Sequence, residues 1–232
     1  SLDFDNIDNV YRMALMLGLK PNIQSGLTLA GNIGVAASGD VTLERKFESE
    51  VNEWRRLRRA VYEILVFDAK TVAGQAVLSK VISDALSASE VSEEDWGLTD
   101  SALIDAICRT SPAGKARLER DFFGRLPQLC LIAQTTGLDG GLWELTRDAL
   151  ARRIETFLAS EYPLNGLYGY ALRDSGTFEK ALTFQSPSGS SIWSSGMKSR
   201  SLVLYGFTRS ARLKVSPEEL GRQFLSSVGD HG

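Results

Sequence analysis

Three aspartates and an arginine, residue types that can bind a cation or pair with one another, stand close together near the start of the chain. Asp3, Asp5 and Asp8 precede Arg12. Carboxylates are hard oxygen donors suited to such ions. A bound divalent ion polarises a phosphate and lowers the pKa of an attacking water. Asp5 and Asp8 are three residues apart, so on a helix they share a face more nearly than Asp3 and Asp5 do. Arg12 lies one turn beyond Asp8 and can pair with it. The same acids admit a plainer role, since an acidic helix start caps free backbone N–H groups for about 1 kcal/mol with no catalysis. A metal site also needs partners for a lone carboxylate, and the only histidine in the sequence is His231.

Other chemistries are poorly served. Serine hydrolysis lacks both a histidine within reach and a GxSxG elbow, and zinc held by Cys and His fails on count. Gly26, Gly31, Gly34 and Gly39 match neither a P-loop nor a GxGxxG pattern, because no lysine follows and the spacing is wrong. Glu93, Glu94 and Asp95 sit in a polar turn with nothing to perturb them. Arg55, Arg56, Arg58 and Arg59, with Arg45 and Lys46, form the densest basic patch, able to bind phosphates. Glu48, Glu50, Glu53 and Glu63 are interleaved, so the patch equally reads as an ion-paired, solvated helix face. Trp54, Trp96 and Trp143 read as packing residues, and Trp193, in a Ser/Gly-rich stretch, as a contact for a partner or ligand.

The elements that must position these residues follow from periodicity. The chain has 232 residues, 43% hydrophobic and 24% charged, with formal net charge −3. That is the profile of an ordinary globular protein with no bulk attraction to nucleic acid or acidic membranes. Cys108 and Cys130 lack CxxC spacing and fit a reducing compartment, buried as small hydrophobes. No apolar run approaches the roughly 18 residues of a membrane helix. Residues 3–17 carry Phe4, Ile7, Val10, Tyr11, Ala14, Leu15 and Leu17 at helical spacing on one broad face, closed by Gly18. Residues 25–40 read as an irregular connection. A long helix follows Glu48, with Val51, Trp54, Leu57, Val61, Ile64 and Leu65 inward, and another runs through Val72 to Ala88. Thr99 and Pro112 mark two shorter helices, Trp143–Leu158 a further one, and Ser216-Pro217 a last one. Leu126–Gln134 fits a buried strand or a helix. Tyr168–Leu172, Lys180–Phe184 and Ser201–Phe207 read as strands, with Ser186–Ser201 as a long serine-rich connection.

The segment Leu2-Asp3-Phe4-Asp5-Asn6-Ile7-Asp8-Asn9-Val10-Tyr11-Arg12, with Leu17-Gly18-Leu19 behind it, resembles the last conserved helix of HD-superfamily phosphohydrolases. In the dNTP triphosphohydrolase branch this helix runs Asp-x-Asp-x-x-Asp-x-x-x-Arg, followed by a Leu-Gly pair. The resemblance extends to about residue 110 through Arg58-Arg59-Ala60-Val61-Tyr62, Val77 to Leu86, and Leu98-Thr99-Asp100. It implies that Asp5 is a metal ligand and that a histidine and a His-Asp pair lie upstream. Arg12 and Arg59 become the candidate substrate contacts, Arg59 because it matches the family's arginine-bearing helix. The sequence departs from the branch at three positions. Asn6 stands where the branch has a lysine, and Asn9 and Met13 stand where it has a tyrosine and an aspartate near the substrate.

Together these readings predict a mainly α fold, an HD-type helical bundle portion over residues 1–160, followed by a small α+β region over 161–232 with a Ser/Gly-rich loop. The expected function is part of a metal-dependent phosphohydrolase acting on a nucleotide or related phosphate ester, inactive as this chain alone. The alternative is a non-catalytic interaction or scaffolding module. The expected cofactor is a divalent ion such as Mn, Mg or Fe, if the site is completed. The expected partners are an upstream HD segment or a partner chain, a homo-oligomer, and a phosphorylated small molecule, with neither membrane nor nucleic acid. A cytoplasmic location is expected.

Overall fold

The computed structural model describes residues 3–35, 41–136, 141–162, 164–174, 182–186, 189–193, 201–210, 213 and 215–229. The chain forms two compact units, one of residues 1–68 and 174–200, the other of residues 69–173 and 201–232.

In the first unit, α1 (Phe4–Met16) begins where the Asp3 side chain accepts the Asn6 backbone N–H at 2.8 Å. It ends in a Schellman turn, in which Leu19 N–H bonds to Ala14 O and Gly18 N–H to Leu15 O. Gly18 takes φ +72°, a conformation that costs a side-chain-bearing residue dearly. Then come α2 (Ile23–Gly31), β1 (Gly34–Val35), β2 (Val41–Glu44) and α3 (Glu48–Leu65). Ile7, Val10, Tyr11 and Ala14 of α1 pack with Leu29, Leu43, Val51, Trp54, Leu57 and Val61. The Trp54 indole N–H reaches Asn6 O at 3.5 Å.

The second unit holds α4 (Ala69–Ser87), α5 (Asp100–Thr110), α6 (Pro112–Asp121), β3 (Gln128–Thr135), α7 (Arg147–Glu161) and β4 (Tyr168–Asp174). The chain then returns to the first unit for β5 (Leu182–Ser186) and β6 (Gly189–Trp193), and ends in the second with β7 (Ser201–Thr208) and α8 (Pro217–Gly229). Thr99, Ser111, Thr146 and Ser216 cap their helices as their types predict.

The mainly α expectation is corrected: the fold is mixed α+β, with eight α-helices and two small sheets among the described residues. One sheet has the order β1-β2-β5-β6, with β2 and β5 parallel (Thr42 opposite Thr183). The other has the order β3-β7-β4, with β3 and β7 antiparallel. Residues 25–40, read as irregular, contain most of α2 and all of β1, and the serine-rich connection contains β6. The reason is non-local pairing. A four-residue strand such as β2 has no period of its own to declare it, and its partner β5 lies far along the chain. The ambiguous run at Leu126–Gln134 is a strand for the same reason, because β7 pairs along it.

Every residue of β7 is buried, as a central strand covered on both faces requires. Two glycines permit the helices to close on this sheet. A Cβ at Gly169 would lie 2.2 Å from Ala151 O, and one at Gly221 would lie 1.9 Å from Ile132 O. Beside β4, Lys80 pairs with Glu155 at 3.0 Å, and Glu155 accepts the Gly169 N–H at 3.1 Å.

Asp121, at the end of α6, is fully buried. Its oxygens accept from Arg120 at 2.9 and 2.6 Å, from the Tyr168 hydroxyl, and from Arg209 at 3.1 Å. Burial alone would raise its pKa, but Arg120, the tyrosine hydroxyl and Arg209 outweigh burial and hold it below the ordinary value. Burial, aided by the carboxylate, pushes Tyr168 up to about 12. This cluster joins α6, β4 and the end of β7.

Two outcomes follow. Gly169→Ala should lower stability by about 2 kcal/mol or more, because backbone rather than a mobile side chain blocks the new methyl; urea denaturation measures it. Because the Asp121 pKa is depressed, its stabilisation is complete above the unfolded value of about 3.9 and is lost as pH falls through the folded one. Asp121→Asn should therefore cost about 1–3 kcal/mol at pH 7, since its arginine partners are part-exposed, and flatten the acid limb of a Tm-versus-pH curve; an unchanged Tm would contradict the role.

Candidate functional site

The exposed side of α1 carries the residues singled out for chemistry. Burial of Ile7, Val10, Tyr11 and Ala14 against α2 and α3 turns Asp5, Asp8 and Arg12 outward. Asp5 and Arg12 are two turns apart and so lie on one face. Arg12 pairs with Asp8 at 3.2 Å, both well exposed, and also donates to Asn9 Oδ1. The cap is Asp3, whose oxygens also take the Asn6 side-chain amide at 2.8 Å. That leaves Asp5 as an exposed carboxylate that is not the capping residue.

The residues present do not by themselves fit a divalent ion. Among the described residues no three His, Cys, Asp or Glu side chains come together in a group that could hold one. Asp5 offers one oxygen donor, and His231 lies outside the described residues.

The basic patch resolves into two kinds of residue. Lys46 pairs with Glu44 at 2.8 Å, Arg45 with Glu48 at 3.7 Å, and Arg56 with Glu53 through a two-point contact of 3.0 and 2.9 Å. The Arg56 contact holds the Glu53 carboxyl below its usual range. Arg59 is exposed. Arg58 is not: only 4% of its surface is accessible. Its guanidinium carbon lies 4.4 Å from the Tyr62 ring centre and 5.8 Å from that of Trp54, within range of cation–π attraction.

Arg58 lines a cleft of about 340 Å³ between α1 and α3, together with Asn6, Asn9, Met13 and Tyr62 and a rim of Val10, Val61, Leu65 and Val66. The structure thus brings together Asn6, Asn9 and Met13, the three positions at which the sequence departs from the HD pattern. Neither Arg12 nor Arg59 lines this cleft. Reading the sequence for arginines in runs selects Arg59 and passes over Arg58. A signal was there, because Arg58 occupies the apolar stripe of Val51, Trp54, Val61 and Leu65, where a charge is out of place.

A second hollow, of about 530 Å³, lies between α1 and α2 and is apolar. Phe4, Leu15 and Leu27 line it and are 63%, 54% and 62% exposed. The Tyr11 hydroxyl is buried here without a hydrogen-bond partner among the described residues, and burial, with Glu53 and Glu50, pushes its pKa up to about 12. In the second unit Cys130 is buried and Cys108 half-buried, both as free thiols. Burial pushes Cys130 up to about 12, out of reach of thiolate chemistry at neutral pH. The Trp193 side chain lies outside the described residues.

No family model matches the chain, and no curated protein matches it. It is similar to the solved structure of a hypothetical protein from Aquifex aeolicus, with a TM-score of 0.58 and 13% identity, covering 88% of this chain and 53% of that one. At that identity the likeness is one of fold. The chain spans about half the length of the structure it matches. No helix among the described residues is long and apolar enough to cross a membrane.

The capping assignment separates the acids of α1. Asp3→Ala should cost about 1 kcal/mol, whereas Asp5→Asn, at an exposed site outside the cap, should change stability by under about 0.5 kcal/mol. Chemical denaturation of both variants checks this, and a large loss at Asp5→Asn would make it a structural residue.

Proposed function

We propose that this chain is part of a metal-dependent HD-type phosphohydrolase acting on a nucleotide or related phosphate ester. The observation that carries the proposal is the convergence on α1: Asp5 is exposed, and positions 6, 9 and 13, which the family resemblance assigns to the substrate side, line one cleft. Asn9 is one turn from Asp5, so a phosphate seated in the cleft would lie near the carboxylate. Asp5 is the metal ligand of this chain, with Arg12 beside it on the same face and Arg59 as a further contact outside the cleft. The remaining ligands, a histidine and a His-Asp pair, come from other parts of the polypeptide or from a partner chain. The ion, Mn, Mg or Fe by class, would supply the Lewis acid and activate the attacking water. The site is assigned to a cytoplasmic protein.

The apolar hollow between α1 and α2 favours the second reading, a non-catalytic interaction module, since clustered exposed apolar side chains mark contact surfaces. One set of assays separates the two. The 232-residue chain should show no divalent-metal-dependent phosphatase activity. The protein purified from its source cells, with whatever accompanies it, should hydrolyse a nucleotide panel in the presence of Mn or Mg, and Asp5→Ala should abolish that activity. Turnover by the chain alone that survives Asp5→Ala would sink the assignment. Absence of turnover in the native protein would move it to the interaction module.

A further inference from the structure

We infer that the α1–α2 face of the first unit is a two-fold contact between copies of this chain, in which Asp8 of each copy pairs with Arg12 of the other. This rests on reading the hollow as a contact surface, the second of the two functions above, and it names the occupant. The first observation is concentration. Nine large apolar side chains are exposed among the described residues, and five of them, Phe4, Leu15, Met16, Ile23 and Leu27, stand on two helices of 13 and 9 residues. Exposed apolar residues scattered singly are ordinary, but a cluster of them beside a hollow of about 530 Å³ marks a contact surface.

The second observation is order. Phe4, Asp8, Arg12 and Met16 follow one another at four-residue steps and form one ridge of α1. Read from either end, the ridge runs apolar, charged, charged, apolar. The acid and the base stand at equal distances from Val10, the middle residue of the helix. Turned end for end about an axis through that midpoint, the ridge meets its own copy with Phe4 against Met16 and Asp8 against Arg12, each contact made twice. An unrelated partner does not require this symmetry, whereas a second copy does. Like charges, the usual obstacle to a charged helix meeting itself, do not face each other in this register. Leu15, Ile23 and Leu27 share the hollow with Phe4, Asp8 and Arg12, and Asp5 belongs to neither the ridge nor the hollow.

The third observation is availability. Within one copy Arg12 reaches Asp8 at 3.2 Å and donates to Asn9, but these contacts are exposed. A pair of this kind on a helix surface is weak. Exchanging it for the same pair across the axis loses little, and the apolar residues at either end, by excluding water, strengthen the new one.

The test is sedimentation equilibrium of the 232-residue chain over a dilution series. The wild-type chain should approach twice the mass of one copy and dissociate on dilution, as a contact at the small end of specific interfaces does. Leu27→Glu should leave a monomer. Asp8→Lys and Arg12→Glu should each weaken association about tenfold or more, because every substitution enters the contact twice and sets like charges opposite each other. An equimolar mixture of those two variants should associate again, since a doubly basic ridge then faces a doubly acidic one. Neither a change confined to one helix nor a misfolded variant produces that recovery. A wild-type chain that stays monomeric would overturn the inference. So would single variants that associate like the wild type, or a mixture that does not associate. These outcomes are independent of turnover. Recovery on mixing, alongside metal-dependent turnover by the native protein, would overturn the non-catalytic reading and leave the contact standing.

Discussion

A guanidinium that cannot shed its charge sits inside the seam between α1 and α3, and the first unit is arranged around that constraint. Arg58 is held against Tyr62 and Trp54, while Trp54 is itself fully buried and reaches back to Asn6 O. The packing that seats the arginine therefore also seats α1, and with it the register of every α1 side chain. Asp5 and Arg12 face outward because Ile7, Val10, Tyr11 and Ala14 face α2 and α3. Position in the site and position in the core are two consequences of one helix–helix contact.

The second unit solves a similar problem with the opposite charge. Asp121 is fully buried, and two arginines and a tyrosine hydroxyl satisfy it. A buried carboxylate with this many donors is stable only while all of them are present, so it fixes α6, β4 and the end of β7 in a single arrangement. Around it the helices approach the sheet closely enough that only glycine fits at positions 169 and 221. This unit has a cleft beside α4, α7 and β4, lined by Ser79, Lys80, Ser83, Asp84, Asp148 and Glu155. Its core centres on β7 and is closed by α7 and α8, which suits a structural body. The chemistry proposed for the protein lies in the first unit.

That chemistry is incomplete by composition. One exposed carboxylate can contribute to a metal site but cannot make one, and among the described residues no further donors gather near it. In the proposed reading this chain contributes one metal ligand, Asp5, while the remaining ligands come from elsewhere.

Much of the helical structure was legible in the sequence, because caps and periodicity are local. Asp3, Thr99, Ser111 and Ser216 announce their helices through the same hydrogen bonds they make in the fold. The inward face of α3 can likewise be read from Val51, Trp54, Leu57 and Val61. The sheets were only partly legible. The strands β4, β5 and β7 carry β-formers, but β1, β2 and β6 are short segments recognisable only through partners far along the chain. For that reason the fold read as mainly helical. The candidate site divides in the same way. The spacing of Asp5, Asn9 and Arg12 was set by α1 alone, since a helix places i, i+4 and i+7 on one side. Whether Arg58 or Arg59 turned into the cleft was decided by how α3 docks on α1. The apolar stripe of Val51, Trp54, Val61 and Leu65 marks Arg58 as the arginine on the inward face, but only tertiary packing supplies the helix that covers it.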